Sequence, residues 1–204
     1  MQCTIDYLQK IYDKITEEWI TANYCNVNLK KKYVTDIDLS GEIYNSINEY
    51  TKFLNSKCLM FADELNNQMV ESYITSRVKS QNSIEAKIQG YRSTEGHAYG
   101  KVPIIKCLND LFGVRIILKT SLTFEEIYGF INDKYGKKYK CIDSSKYEYK
   151  ATHLYLKKNN TTFPWELQIW NDCDRASNFA SHKRYKQAYT NWEKENKEGG
   201  IQND

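Results

Sequence analysis

Two acids and four bases stand where they could handle a polyphosphate. Asp110 lies just before Val114-Arg115-Ile116-Ile117-Leu118, an apolar and mostly β-branched run that reads as a buried strand led in by Gly113. Glu166 lies inside the alternating run Trp165-Glu166-Leu167-Gln168-Ile169-Trp170. There Glu166 and Gln168 share one face, and Trp165, Leu167 and Ile169 share the other. If the hydrophobic set faces helices, the carboxylate and the amide point into an open cleft. Two carboxylates converging from different strands bind Mg²⁺ well when substrate phosphates complete the octahedron. Arg77, Lys79 and Lys87 cluster around a helix start, whose free N–H groups favour anions, and Arg115 adds a fourth cation. Tyr149 and His153 form a pair in which the tyrosine could stack on a base. Phosphoryl chemistry mostly needs such positioning and charge neutralisation. Taken singly these residues have plainer readings. Asp110 and Arg115 would be a solvated loop acid and a solvated arginine at a sheet edge, and the basic cluster a solvated surface. A carboxylate in mid-strand, as at Glu166, is the more informative signal.

The elements that must position these residues read as follows. Residues 4–22 form a helix with Leu8, Ile11, Tyr12, Ile15 and Trp19 on one apolar face and Thr4 as its cap. Residues 40–70 carry a second helical pattern through Ile43, Ile47, Tyr50, Leu54, Phe61, Leu65 and Met69, capped by Ser40. Its phase slips near Asn55 to Lys57, which predicts two helices. Residues 73–80 read as a strand, and a short helix starts at Ser83 with Asn82 or Ser83 as cap. Gln89 to Val102, with Gly90, Gly96 and Gly100, reads as a loop. Ile104 to Leu108 leads into Asp110, and Phe124 to Tyr135 forms an amphipathic helix that Gly136 ends. Lys138 to Ile142, Ala151 to Leu156 and Phe163 to Trp170 are strands, the last two a hairpin around Asn159-Asn160. A basic, aromatic helix from 172 to 195 closes the chain.

Composition removes several classes. The chain has 204 residues, net charge +3, 41% hydrophobic and 27% charged residues, values of a soluble globular protein rather than of a dedicated nucleic-acid binder. Its six cysteines show no metal-clip spacing, and with no secretion signal they read as reduced thiols in a cytoplasmic protein. No apolar run approaches the roughly 20 residues of a membrane span. There is no Walker-type phosphate loop, no kinase Gly-rich loop and no H-R-D motif. The residues point to a Mg²⁺-dependent nucleotide transferase of another kind.

Five ordered pieces narrow this. They are Arg77-Val78-Lys79-Ser80 with Ser83-Ile84 and Lys87; Asp110-Leu111-Phe112-Gly113-Val114-Arg115-Ile116; Tyr149-Lys150-Ala151-Thr152-His153; Glu166-Leu167-Gln168-Ile169; and Phe179-Ala180-Ser181-His182-Lys183-Arg184-Tyr185-Lys186. Together, from 73 to 186, they resemble the RelA/SpoT synthetase-domain family, as in small alarmone synthetases. The resemblance implies an α+β fold related to nucleotidyltransferases, a mixed sheet of about five strands flanked by helices. It implies a pyrophosphokinase core over 71–195, to which the helical patterns above add an N-terminal helical region over 1–70 packing on the core and the polar, Gly-containing end a frayed tail over 196–204. It also implies transfer of the β,γ-pyrophosphate of ATP to a 3′-hydroxyl with release of AMP. By position, Arg77, Lys79, Ser83, Lys87 and Arg115 would hold ATP. Asp110 and Glu166 would be catalytic and bind Mg²⁺. Tyr149, His153 and Gln168 would form the acceptor environment.

Two residues depart from the family pattern. Glu148 stands where Gly usually precedes the loop tyrosine, and Trp170 stands where Arg usually follows E-x-Q-x. Both fall on the acceptor side, and at Glu148 a Gly would allow a positive φ. The first expectation for the acceptor is GDP or GTP, giving a (p)ppGpp-type alarmone. A second is the 3′-CCA end of tRNA, as in toxins neutralised by a small antitoxin, with Lys30 to Lys32 and Lys137, Lys138 and Lys140 as phosphate contacts or as solvated surface. A third is an inactive nucleotide sensor. Homo-oligomers are common among small synthetases, so a homo-oligomer or an antitoxin complex is the expected assembly.

Overall fold

The alternation of the 163–170 run builds the middle of the molecule. In a computed structural model that describes residues 1–22, 27–67 and 72–184 (for 58–67 and 72, the backbone only), this run becomes one strand of a five-stranded mixed sheet. The strands are β1 (Ser72–Val78), β2 (Phe112–Leu118), β3 (Lys140–Asp143), β4 (Thr152–Leu156) and β5 (Trp165–Asn171), in the spatial order β1-β2-β5-β4-β3. Only the β2–β5 pair is parallel; the others are antiparallel. The helices are α1 (Gln2–Ala22), α2 (Glu42–Asn67), α3 (Gln81–Ser93), α4 (Ile104–Cys107) and α5 (Phe124–Tyr135), followed by a helical segment at 175–184. The fold is α+β, as expected.

One face of the sheet is covered by apolar helix stripes. Leu8, Ile11, Tyr12, Ile15 and Trp19 of α1 and Ile47, Tyr50 and Leu54 of α2 are buried in one cluster with Phe112, Val114, Ile116, Trp165, Leu167 and Ile169. Two aromatic side chains of this core have their polar atoms paired. The Trp165 indole donates to the Tyr50 hydroxyl (2.9 Å), and the Tyr12 hydroxyl accepts from the Lys158 amide (3.0 Å). No described helix is long and apolar enough to cross a membrane. Cys3, Cys107, Cys141 and Cys173 are free thiols; Cys25 and the Cys58 side chain lie outside the described residues.

Several local expectations are corrected. α2 is a single helix through Asn55 to Lys57. It contains no Gly or Pro to stop it, and Lys57 at the slip bridges to Glu18 of α1 at 2.8 Å. The residue before its first turn is Gly41, whose carbonyl accepts from the Asn45 amide; Ser40 instead bonds Asp38. Thr4 lies inside α1 and is buried rather than capping it. α3 starts two residues earlier than expected, at Gln81 with Ser80 as N-cap, and runs to Ser93 through Gly90. Buried Ile84, Ala86 and Ile88 hold it, so a Gly that costs about 1 kcal/mol in a helix does not break it. The rest of the expected loop is a tight 3-10 segment, Glu95–Gly100, with Ala98, Tyr99 and Gly100 at positive φ. Tyr128, expected on the apolar face of α5, is 49% exposed, while Ile127 and Ile131 carry the contact. Gly136 ends α5 at φ 57° as expected. Phe61, Leu65 and Met69, Tyr185 and Lys186, and the 196–204 tail lie outside the described side chains.

Candidate functional site

The face of the sheet turned away from α1 and α2 carries the chemistry, and pairing register assembles it. Three cross-strand rows lie side by side: Arg77–Gly113–Glu166–Tyr155, Thr75–Arg115–Gln168–His153, and Tyr73–Ile117–Trp170. Residues two apart on each strand share this face, so the polar members of β2 and β5 meet while their apolar neighbours enter the core. Arg115 therefore sits on an interior strand, with β1 closing the edge, and not at the sheet edge expected of it.

Asp110 is clamped between two lysines. The backbone amide of Lys79, just past β1, donates to the Leu111 carbonyl at 2.8 Å, which brings Lys79 beside the loop before β2. Lys79 Nζ then meets Asp110 Oδ2 at 2.7 Å, and Lys87 Nζ, from α3, meets Oδ1 at 3.0 Å. All three side chains are largely buried. Burial resists ionisation of Asp110, but the two ammonium groups outweigh it and hold the carboxyl well below the usual range. The lysines respond in opposite directions. Burial pushes Lys79 down, with Lys87 and Arg77 reinforcing it against Asp110, whereas Asp110 outweighs burial at Lys87 and raises it. One carboxylate cannot neutralise two lysines, so the cluster keeps a net positive charge. Arg77 adds another beside it, and among the described residues no carboxylate pairs with Arg77. Cys107, packed under this cluster, is raised to about 11 by burial and stays a thiol.

Glu166 is held differently, by a phenol, an imidazole and an amide. Oε1 accepts from the Tyr155 hydroxyl (3.0 Å) and from His153 Nδ1 (3.0 Å), and Oε2 accepts from the Gln168 amide (2.7 Å). Its residue exposure is 6%, so it lies under a wall contributed by β4 and not in an open cleft. Burial opposes its charge and Asp110 does too, yet the His153 and Gln168 contacts keep it below the ordinary carboxylate value. The bonds continue outward. The Gln168 oxygen accepts from Arg115 Nε (3.1 Å) and Nη2 (2.9 Å). His153 Nε2 lies 3.0 Å from the Tyr149 hydroxyl, which accepts from the Trp170 indole at 3.3 Å. Indole only donates, so the tyrosine proton is free to point at Nε2, leaving Nδ1–H for Glu166. Arg115 Cζ sits 3.6 Å from the Trp170 ring centroid, which closes the circuit. Burial pushes Tyr149 up to about 12, so it stays a phenol.

A cavity of about 530 Å³ opens over this surface, lined by Arg77, Gly113, Arg115, Gln168, His182 and Lys183 among others. Among the described residues three cations and no carboxylate line it, the electrostatics of an anion site. Gly113 is its floor: a side chain there would rise between Arg77 and Glu166 in the same row.

The structure thus brings Arg77, Lys79, Lys87, Asp110, Arg115, Glu166, Gln168, His153 and Tyr149 onto one surface. Ser83 stands in the first turn of α3, its hydroxyl 2.8 Å from that of Ser80. Both departures from the family pattern are accounted for locally. Glu148 pairs with Arg184 of the 175–184 segment, and the positive φ of the loop falls one residue earlier, at Tyr147 (φ 55°), so no Gly is needed at 148. Trp170 carries Arg115. Two further residues escaped the sequence reading. Tyr155 braces Glu166, and its place two residues after His153 in an alternating strand was the available signal. Buried Asn178 pairs its amide with both the N–H and the C=O of Lys150, at 2.8 Å each, and so fixes the Tyr149 loop; nothing local in the sequence marks it.

For a divalent ion the donors fit in part by count. The bonds described leave lone pairs on both Asp110 oxygens and on Glu166 Oε2. Among the described residues no group of three or more His, Cys, Asp or Glu forms a cage. An ion held here would complete its shell with phosphates and water.

The small alarmone synthetase 1 of Bacillus subtilis is similar in structure, with 19% identity over 70% of this chain and 77% of that one and a TM-score of 0.40. The small alarmone synthetase 2 of the same organism gives 21% identity, 74% and 83% coverage and a TM-score of 0.41. The first enzyme bound to its product pppGpp gives 17%, 72%, 78% and 0.38. No curated protein sequence matches the chain. The pattern of the region found in RelA / SpoT proteins matches residues 76–190, which is more than half of the chain and contains every site residue described above. The chain belongs to the RelA/SpoT synthetase family.

Proposed function

We propose that the protein is an ATP-dependent pyrophosphokinase that moves the β,γ-pyrophosphate of ATP to the 3′-hydroxyl of GDP or GTP and releases AMP. The observation that carries this reading is a buried carboxylate, Glu166, braced on three sides and in the same cross-strand row as Arg77 and Gly113 of a cationic cavity whose described lining holds no acid. Arg77, Lys79, Lys87 and Arg115 hold the phosphates. Glu166 takes the proton of the acceptor hydroxyl on its remaining lone pair. The hydroxyl oxygen bonds to the β-phosphorus, the bond from that phosphorus to the bridging oxygen breaks, and AMP leaves with the oxygen. Asp110 would hold Mg²⁺, which would supply neutralisation of phosphate charge, with Glu166 reaching the ion through water while its free lone pair takes the proton. Tyr149 and His153 line the acceptor side, with Gln168 linking the two halves.

A second acceptor, the 3′ end of tRNA, is favoured by the exposed lysines 30 to 32, 137, 138 and 140. Incubation with γ-labelled ATP, Mg²⁺ and, separately, GDP, GTP and deacylated tRNA separates these readings. Label on a guanosine nucleotide is expected. Label on tRNA alone would replace the acceptor, and no transfer to any of them would overturn the enzyme assignment in favour of a nucleotide sensor.

A further inference from the structure

We propose that Trp170 is a positioning residue that couples the two halves of the site: its ring face holds the Arg115 guanidinium on the cavity wall, and its N–H holds the Tyr149 hydroxyl. The inference rests on the pyrophosphate-transfer reading, with Arg115 on the donor side and Tyr149 on the acceptor side.

Arg115 needs a holder that does not neutralise it. Among the described residues it forms no ion pair with a carboxylate. Its link to Glu166 runs through the Gln168 amide. Burial lowers its pKa to about 10, so it stays charged at neutral pH. An acid partner would fix the side chain and cancel its charge. The indole face at 3.6 Å fixes it and leaves the charge available to phosphate. With both Nε and Nη2 on one Gln168 oxygen, the guanidinium is stacked on one face and bonded along one edge. Phe179 and His182, from the 175–184 segment, stand around the same group, with Phe179 at 5.4 Å and His182 Nε2 at 3.3 Å from Nη2.

The indole itself cannot turn freely. Trp170 is 1% exposed, packed with Ile117 and Ala151, and its N–H is committed to Tyr149. A ring that moves to follow Arg115 would drop the Tyr149 bond, and the reverse also holds. One side chain thus sets the donor cation and the acceptor tyrosine together.

Two substitutions pull these roles apart. Trp170→Phe keeps a ring face and loses the N–H; Trp170→Leu loses both. The first readout is the Arg115 Nε–H resonance in ¹H–¹⁵N spectra, assigned with Arg115→Lys, which the ring current of Trp170 displaces upfield. Displacement is expected to persist in Trp170→Phe and to vanish in Trp170→Leu. The second is calorimetric affinity for α,β-methylene-ATP, expected within about twofold of wild type for Phe and about tenfold weaker for Leu. The third is the KM for GDP in the transfer assay, expected to rise about fivefold in Trp170→Phe with kcat little changed. Tyr149→Phe, which removes this bond and the one to His153 as well, should raise that KM at least as far as Trp170→Phe. An Arg115 resonance unmoved in Trp170→Leu, or equal losses of both affinities in the Phe and Leu variants, would overturn the proposal. The resonance and the calorimetry decide it even if wild-type protein transfers to no acceptor, an outcome that would instead sink the enzyme reading.

Discussion

The surroundings of Asp110 and of Glu166 differ more than their shared burial suggests. Asp110 is gripped by two ammonium groups. Glu166 is gripped by a phenol, an imidazole and an amide. Two buried ammonium groups hold Asp110 far below the usual carboxylate range, and the contacts of Glu166 lower it as well. The comparison assigns the two acids different work. Asp110 is an electrostatic anchor that keeps Lys79 and Lys87 in place and is a poor proton acceptor. Glu166 is held in position, keeps a free lone pair and can take a proton.

The comparison can be broken most sharply at Glu166. Glu166→Gln keeps the shape and removes the base, and should lower kcat by about 10³-fold while α,β-methylene-ATP binds within a fewfold of wild type. Near-normal turnover would move the base elsewhere. Asp110→Asn should act on folding as well as on turnover, because it leaves two buried lysines facing each other without a carboxylate. A loss of about 3 kcal/mol in denaturant unfolding is expected, against a much smaller loss for Glu166→Gln, and similar losses at both sites would erase the distinction.

Acid should find the same difference. The Asp110 carboxyl titrates lower in the folded than in the unfolded chain, so its contribution is fully present above the unfolded value of about 3.9 and is lost as pH falls toward the folded one. The unfolding midpoint of wild type should therefore drop below about pH 4 more steeply than that of Asp110→Asn. The smallest effect belongs to Tyr155→Phe. It removes one donor to the Glu166 anion, so the acid limb of the pH–rate profile should move up by a fraction of a pH unit to about one unit, with the alkaline side unchanged. An unshifted limb would show that Tyr155 only packs.

Much of this contrast was readable in the sequence, because alternation is local. The run from Trp165 to Trp170 announces a strand with Glu166 and Gln168 on one face, and the strand obeys it. The D-L-F-G-V-R piece likewise placed Asp110 and Arg115 around β2. What was not readable comes from partners distant in sequence. Glu166 was expected in an open cleft, yet Tyr155 and His153 arrive from β4 by antiparallel register and cover it. The lysine clamp on Asp110 needs β1 and α3 to fold together over the α4–β2 loop. Local misreadings had local causes: Gly90 did not end α3, and a phase slip did not split α2, because tertiary burial outweighed both signals. The two departures from the family pattern looked like losses in sequence and are contacts in space, Glu148 with Arg184 and Trp170 with Arg115.

The most direct test of the central claim counts products. Wild-type protein is incubated with Mg²⁺, GDP and ATP labelled in the γ-phosphate, and AMP is measured against label on the guanosine nucleotide. Equimolar AMP and labelled guanosine 3′-pyrophosphate are predicted, with both abolished in Glu166→Gln. Label recovered as free phosphate with ADP, or AMP formed without labelled acceptor, would contradict the account.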